Sequence, residues 1–111
     1  MSAEWRAYAR HILDCAAVLE RIQARGDITG DDILYDAALR NLHTLAEATQ
    51  RLPDSIKDRY PHIEWRKISA FRNIIVHNYL GDIDPVTVTK ILQEHVAPLT
   101  EAMTNALKDH L

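Results

Sequence analysis

An arginine, two asparagines, a histidine and a tyrosine fall within the stretch Arg72-Asn73-Ile74-Ile75-Val76-His77-Asn78-Tyr79 of this 111-residue chain. These residue types suit phosphodiester chemistry without a metal. RNA carries its own nucleophile, the 2′-hydroxyl. Its cleavage needs a base for that hydroxyl, an acid for the leaving oxygen, and positive charge for the phosphorane-like transition state. His77 can serve as acid or base near neutral pH. Arg72 offers a fork of donors to phosphate oxygens. One chain supplies a single obvious proton-transfer histidine in this stretch. A two-fold dimer with this helix at its interface would supply two copies facing a shared cleft.

On a helix, Arg72 and Tyr79 are seven apart and point the same way, and Asn73 stacks on His77 four residues later. A polar band of Arg72, Asn73, His77 and Tyr79 then runs beside an apolar face of Phe71 and Ile75, and Arg72 and His77 flank a groove rather than stacking. Each residue taken singly has a plain reading. Arg72 can pair with a carboxylate, His77 can sit at a helix C-terminus where its cation is favoured, and Tyr79 can be a half-buried anchor. Bundle packing does not call for all of them together within two turns.

Few glycines and prolines, much Ala and Leu, and scarce β-branched runs point to helices. The apolar stripe Trp5, Tyr8, Ile12, Cys15, Leu19, Ile22 predicts a first helix from about Ala3 to Arg25. Gly26 suits a C-terminal cap, and Thr29 with Asp32 resembles a capping box. A second helix is expected from about Asp31 to Leu52, with Leu34, Ala38, Leu42, Leu45, Ala48 and Leu52 inward. Pro53 and Pro61 bracket a short helical turn that Asp54 or Ser55 can cap. The motif helix is expected from about Ile63 to Leu80, with Ile68, Phe71 and Ile75 inward and Gly81 as its stop. Asp84 is a good N-cap, and Pro85 suits the first position of a last helix reaching His110. Pro98 lies inside that helix and is expected to kink it. The chain therefore reads as a single all-α domain over residues 1–111, an antiparallel bundle of four longer helices and one short one.

The net charge of −3 and a pI of about 6.0 exclude a nucleic-acid binder that works by overall charge. The segment from Lys57 to Arg72 is nonetheless net positive: Lys57, Arg59, Arg66, Lys67 and Arg72 stand against Asp58 and Glu64. That is either a solvated helix face or a local patch for a polyanion. No two of the six histidines lie three or four apart, and Cys15 stands alone, so no metal-ligand spacing is present. There is no glycine-rich phosphate loop and no nucleophile elbow. Asp32 and Asp36 share a helix face without marking a catalytic pair. The amino terminus lacks the apolar core of a signal peptide, and no apolar run is long enough for a bilayer. A soluble, cytoplasmic protein without membrane partners is expected.

Arg72 to Tyr79 fits the pattern Arg-x4-His-x-Tyr and resembles the signature of the HEPN superfamily, specifically its HepT-like toxins. The resemblance covers nearly the whole chain. Residues 38–52, ALRNLHTLAEATQRL, are similar to the family's second helix, with Ala46-Glu47-Ala48 where the family usually has Gly-Glu-Ala. Residues 63–84 resemble its central block. Residues 88–103 resemble its last helix, internal proline included.

The resemblance implies a HEPN helical bundle forming a homodimer, with the motif helices lining the dimer cleft. It implies a metal-independent endoribonuclease acting as the toxin of a toxin–antitoxin pair, with Arg72 and His77 catalytic and no cofactor of its own. It further implies an MntA-like nucleotidyltransferase antitoxin that uses ATP to place AMP on the motif tyrosine, here Tyr79. The added bulk and negative charge would block the groove RNA must enter. Asn73 would support the pair or contact phosphate. Asn41 and Glu47 either line the same cleft or are ordinary exposed helix polarity. Two other readings stand beside this one: a non-catalytic HEPN module that partners a nucleotidyltransferase and holds nucleotide or RNA, and a plain structural dimeriser indifferent to changes at Arg72 and His77.

Overall fold

The computed structural model describes residues 4–78 and 83–109, all helices and connecting turns, with no strand among them. Helix α1 spans Glu4–Arg25, α2 Asp32–Thr49, α3 Asp54–Lys57, α4 Trp65–His77 and α5 Pro85–Asp109. This is the expected bundle of four longer helices and one short one. The inward stripes follow the predicted periodicity closely. Ile12, Leu19, Val88, Leu99 and Met103 are all but sealed from solvent, and the core is continuous across the helices. Tyr8 and Leu34 are only half-buried and pack at its edge.

Local chemistry sets the ends of α2. The structure replaces the expected Thr29–Asp32 capping box with two aspartate caps. Asp31 is extended, and its carboxylate accepts the Ile33 and Leu34 N–H groups at 3.0 and 3.2 Å. Asp27 accepts the Thr29 N–H at 2.9 Å and starts a separate 3₁₀ turn, Ile28–Gly30. A carboxylate also complements the positive end of the helix dipole. At its other end α2 stops at Thr49 rather than Leu52. There the N–H groups of Gln50, Arg51 and Leu52 turn to carbonyls three residues back, at 3.1, 3.1 and 3.3 Å. Pro53 disfavours the helical conformation at the residue before it, so the last turn tightens instead of continuing.

Pro53 itself, not Asp54 or Ser55, is the N-cap of α3, and no side chain caps that short helix. The start of α4 is fixed by Trp65, whose indole N–H is shared between the Lys57 and Tyr60 carbonyls, each at 3.2 Å. Helix α4 begins two residues later than Ile63 and closes at Asn78. The Asn78 N–H meets the Ile74 carbonyl at 2.9 Å, and its side chain donates to the same oxygen at 3.0 Å. The expected extension to Leu80 and the stop at Gly81 lie outside the described residues. Asp84 caps α5 as expected, accepting the Val86 N–H at 3.0 Å, and α5 continues through Pro98. The Tyr35 hydroxyl donates to the Ile83 carbonyl at 2.6 Å, fastening the approach to α5 onto α2.

α2 carries α1 on one side and α4 on the other, while α5 packs chiefly on α1. A cleft of about 270 Å³ is therefore left over α2 between α4 and α5, lined by Leu45, Ile68, Phe71, Ile74, Ile91 and Leu99 among others. Ile74 is 47% exposed at its edge. No helix among the described residues is long and apolar enough to cross a membrane.

Candidate functional site

The site is built where α2 and α4 lie side by side. Two contacts set their relative direction. Gln50 Nε2 donates to Ser69 Oγ at 2.7 Å, and Arg72 Nε donates to Glu47 Oε1. As numbers fall along α2 they rise along α4, so the helices run antiparallel. Ile68, Phe71 and Ile75 are buried, and this turns Arg72 toward the polar side of α2.

Arg72 is held at two points. Its Nε is taken by Glu47, and its Nη1 donates to Asn73 Oδ1 at 3.0 Å. Among the described residues Nη2 has no partner, and the side chain is 33% exposed. The guanidinium is thus pre-positioned with one donor edge open to an incoming oxyanion. Glu47 gives more than orientation. The Arg72 hydrogen bond, helped by the Arg72 charge and by nearby His43, holds its carboxyl below the ordinary glutamate range against a smaller opposing effect of burial.

His77 is the last residue of α4 and is exposed, with no hydrogen bond or ion pair among the described residues. Helix geometry sets it on the same side as exposed Asn73, four residues earlier. Arg72 and His77 accordingly leave α4 in different directions, Arg72 against α2 and His77 toward solvent. Tyr79 lies outside the described residues.

Of the expected supporting residues, Asn73 and Glu47 join Arg72 directly. Asn41 does not: its amide donates to the Ala37 carbonyl of its own helix at 2.8 Å. One participant was missed by sequence reasoning. His43 Nε2 lies 3.5 Å from Glu47 Oε1. The available signal was its spacing, four residues before Glu47 on the row that Gln50 continues. Among the described residues no group of His, Cys, Asp or Glu is placed to hold a metal ion.

Comparison with known proteins places this geometry in a family. The model of the family described as "Ribonuclease HepT-like" matches residues 9–106. The chain is 28% identical over 100 residues to "Probable ribonuclease HepT" of Thermococcus cleftensis, covering 85% of this chain and 90% of that one. It is 30% identical over 79 residues to "Putative RNase TTE0752" of Caldanaerobacter subterraneus subsp. tengcongensis, covering 68% and 70%. It is 25% identical over 114 residues to "Gamma-glutamylcyclotransferase and putative RNase MJ0434" of Methanocaldococcus jannaschii, covering 98% of this chain. The chain spans only 50% of that last protein's length. No solved structure matches. With nearly the whole bundle matched, and Arg72, Asn73 and Glu47 joined inside the matched region, the chain belongs to the HepT-like ribonuclease family.

Proposed function

We propose that this protein is the toxin of a toxin–antitoxin pair, an endoribonuclease that cleaves RNA without a metal ion, using Arg72 and His77. The observation that carries the reading is the Arg72 guanidinium, fixed by Glu47 and Asn73 with Nη2 unpartnered among the described residues. A cation set in place before substrate arrives need not reorganise as charge develops on the phosphoryl oxygens. His77, exposed five residues along the same helix, supplies proton transfer.

The working unit of this proposal is a homodimer. The apolar cleft beside α4, with Ile74 exposed at its edge, supports it, because a second copy seated there would bring the two motif helices together. Regulation follows from Tyr79. A cognate MntA-like nucleotidyltransferase would let the phenol oxygen attack the α-phosphorus of ATP, releasing pyrophosphate and leaving AMP on the tyrosine. The new phosphodiester would repel RNA from the Arg72 groove.

One observation favours the second reading, a non-catalytic module that partners a nucleotidyltransferase and holds nucleotide or RNA. Arg72 already satisfies Glu47, as a purely structural ion pair would. Cleavage of total cellular RNA in EDTA separates the two. The ribonuclease reading expects fragments from the native chain and a loss of about a hundredfold or more in Arg72→Ala. No cleavage by folded native protein would overturn the ribonuclease reading.

A further inference from the structure

The polar row of α2 continues beyond Glu47. His43 lies one turn back, its Nε2 3.5 Å from the same Oε1 that takes Arg72 Nε. The antiparallel register gives its place relative to α4. Gln50 meets Ser69 and Glu47 meets Arg72, so one turn further His43 is level with Val76, the neighbour of His77. His43 therefore stands at the axial level of the end of α4, where His77 turns toward solvent, with Arg72 about one turn, roughly 6 Å, along the axis. His43 is 40% exposed, within reach of a substrate lying over the two helices.

We infer that His43 is a second proton-transfer group of this site, a general base oriented by Glu47 and working with His77 as acid. This inference rests on the ribonuclease reading and deepens it, because it names the group that takes the 2′-hydroxyl proton. With Nε2–H turned to Glu47, His43 presents Nδ1 to the 2′-hydroxyl. The hydroxyl proton passes to Nδ1 as the 2′-oxygen bonds to phosphorus. The bond from phosphorus to the 5′-oxygen breaks, and that oxygen takes the proton of the His77 imidazolium. The products are a 2′,3′-cyclic phosphate end and a 5′-hydroxyl end, and solvent resets both protons. The Glu47 carboxylate fixes the imidazole's tautomer and stabilises the cation it becomes, the role a carboxylate plays behind a catalytic histidine. The charged groups around His43 are Glu47 four residues on and Arg40 three residues back along α2, and Arg72 across from it on α4.

The test is kcat/KM against pH for RNA cleavage in EDTA by the native protein, His43→Gln and His77→Gln, each checked for native helix content. Glutamine at position 43 can still donate to Glu47 but cannot titrate, so it separates positioning from proton transfer. The native chain is expected to give a bell-shaped profile. His43→Gln is expected to fall by about a hundredfold or more and to lose the acidic limb, where a base is being deprotonated. His77→Gln is expected to lose the alkaline limb. If His43→Gln keeps its acidic limb, the inference is overturned, whether the rate is unchanged or reduced, and the ribonuclease reading stands. If the native protein leaves RNA intact, the ribonuclease reading itself fails and takes this one with it.

Discussion

Arg72 is the residue on which the site turns, and Glu47 decides how it is presented. A guanidinium fixed through Nε keeps its terminal nitrogens for phosphate, which an ammonium cannot imitate. Arg72→Lys is therefore expected to lower the cleavage rate by about a hundredfold while leaving the bundle intact, as read by initial rates and circular dichroism. The Glu47 carboxyl is held low by Arg72 and by nearby positive charge, so its contribution to stability has a definite sign with pH. A carboxyl depressed in the folded state stabilises fully above its ordinary pKa, 4.5 for glutamate, and that stabilisation disappears as pH falls through the lowered folded value. The urea stability of the native chain should therefore exceed that of Glu47→Gln above about pH 5, and the two should converge in stronger acid. Curves that stay parallel down to the lowest pH would show that the Glu47 charge adds nothing. At this scale the sequence was partly legible. The spacing of Arg72 and His77 named the chemistry, but nothing local in the sequence told which carboxylate would meet Arg72, because that partner comes from another helix.

Elements were read more securely than their ends. Apolar residues at steps of three and four report burial directly, and the three inward positions expected of the motif helix, Ile68, Phe71 and Ile75, are all buried. Helix ends depend on single hydrogen bonds, and there the reading slipped. Thr29 and Asp31 are both good caps, and only the extended backbone at Asp31 settles which one caps α2. The end of α2 at Thr49 likewise reflects the proline after Leu52 outweighing an apolar pattern that runs on. Asp31→Ala is expected to destabilise the protein by about 1 kcal/mol, the usual worth of an N-cap, with the loss of amide-exchange protection concentrated in the first turn of α2. Thr29→Ala, at the position that does not cap, is expected to shift stability by less than about 0.5 kcal/mol. Equal losses from both would put the cap back at Thr29.

The whole molecule leaves α4 packed chiefly on α2, with an apolar cleft on one flank and the Arg72 cluster on the other. This asymmetry was not legible in the sequence. The sequence sets Ile74 next to the inward Ile75, but only the arrangement of α4 and α5 shows that a gap opens beside it. If a second copy covers that gap, Ile74→Glu should give a monomer by light scattering, with cleavage lost although Arg72 and His77 are untouched. A dimer of unchanged affinity would place the contact elsewhere. The claim that binds these scales together is that His77 moves a proton in metal-free cleavage of RNA. The most direct measurement compares the native chain with His77→Ala on total cellular RNA in EDTA, with the fragment ends identified. The account predicts fragments ending in 2′,3′-cyclic phosphate from the native chain and intact RNA from an equally folded His77→Ala. Equal cleavage by the two proteins would contradict it.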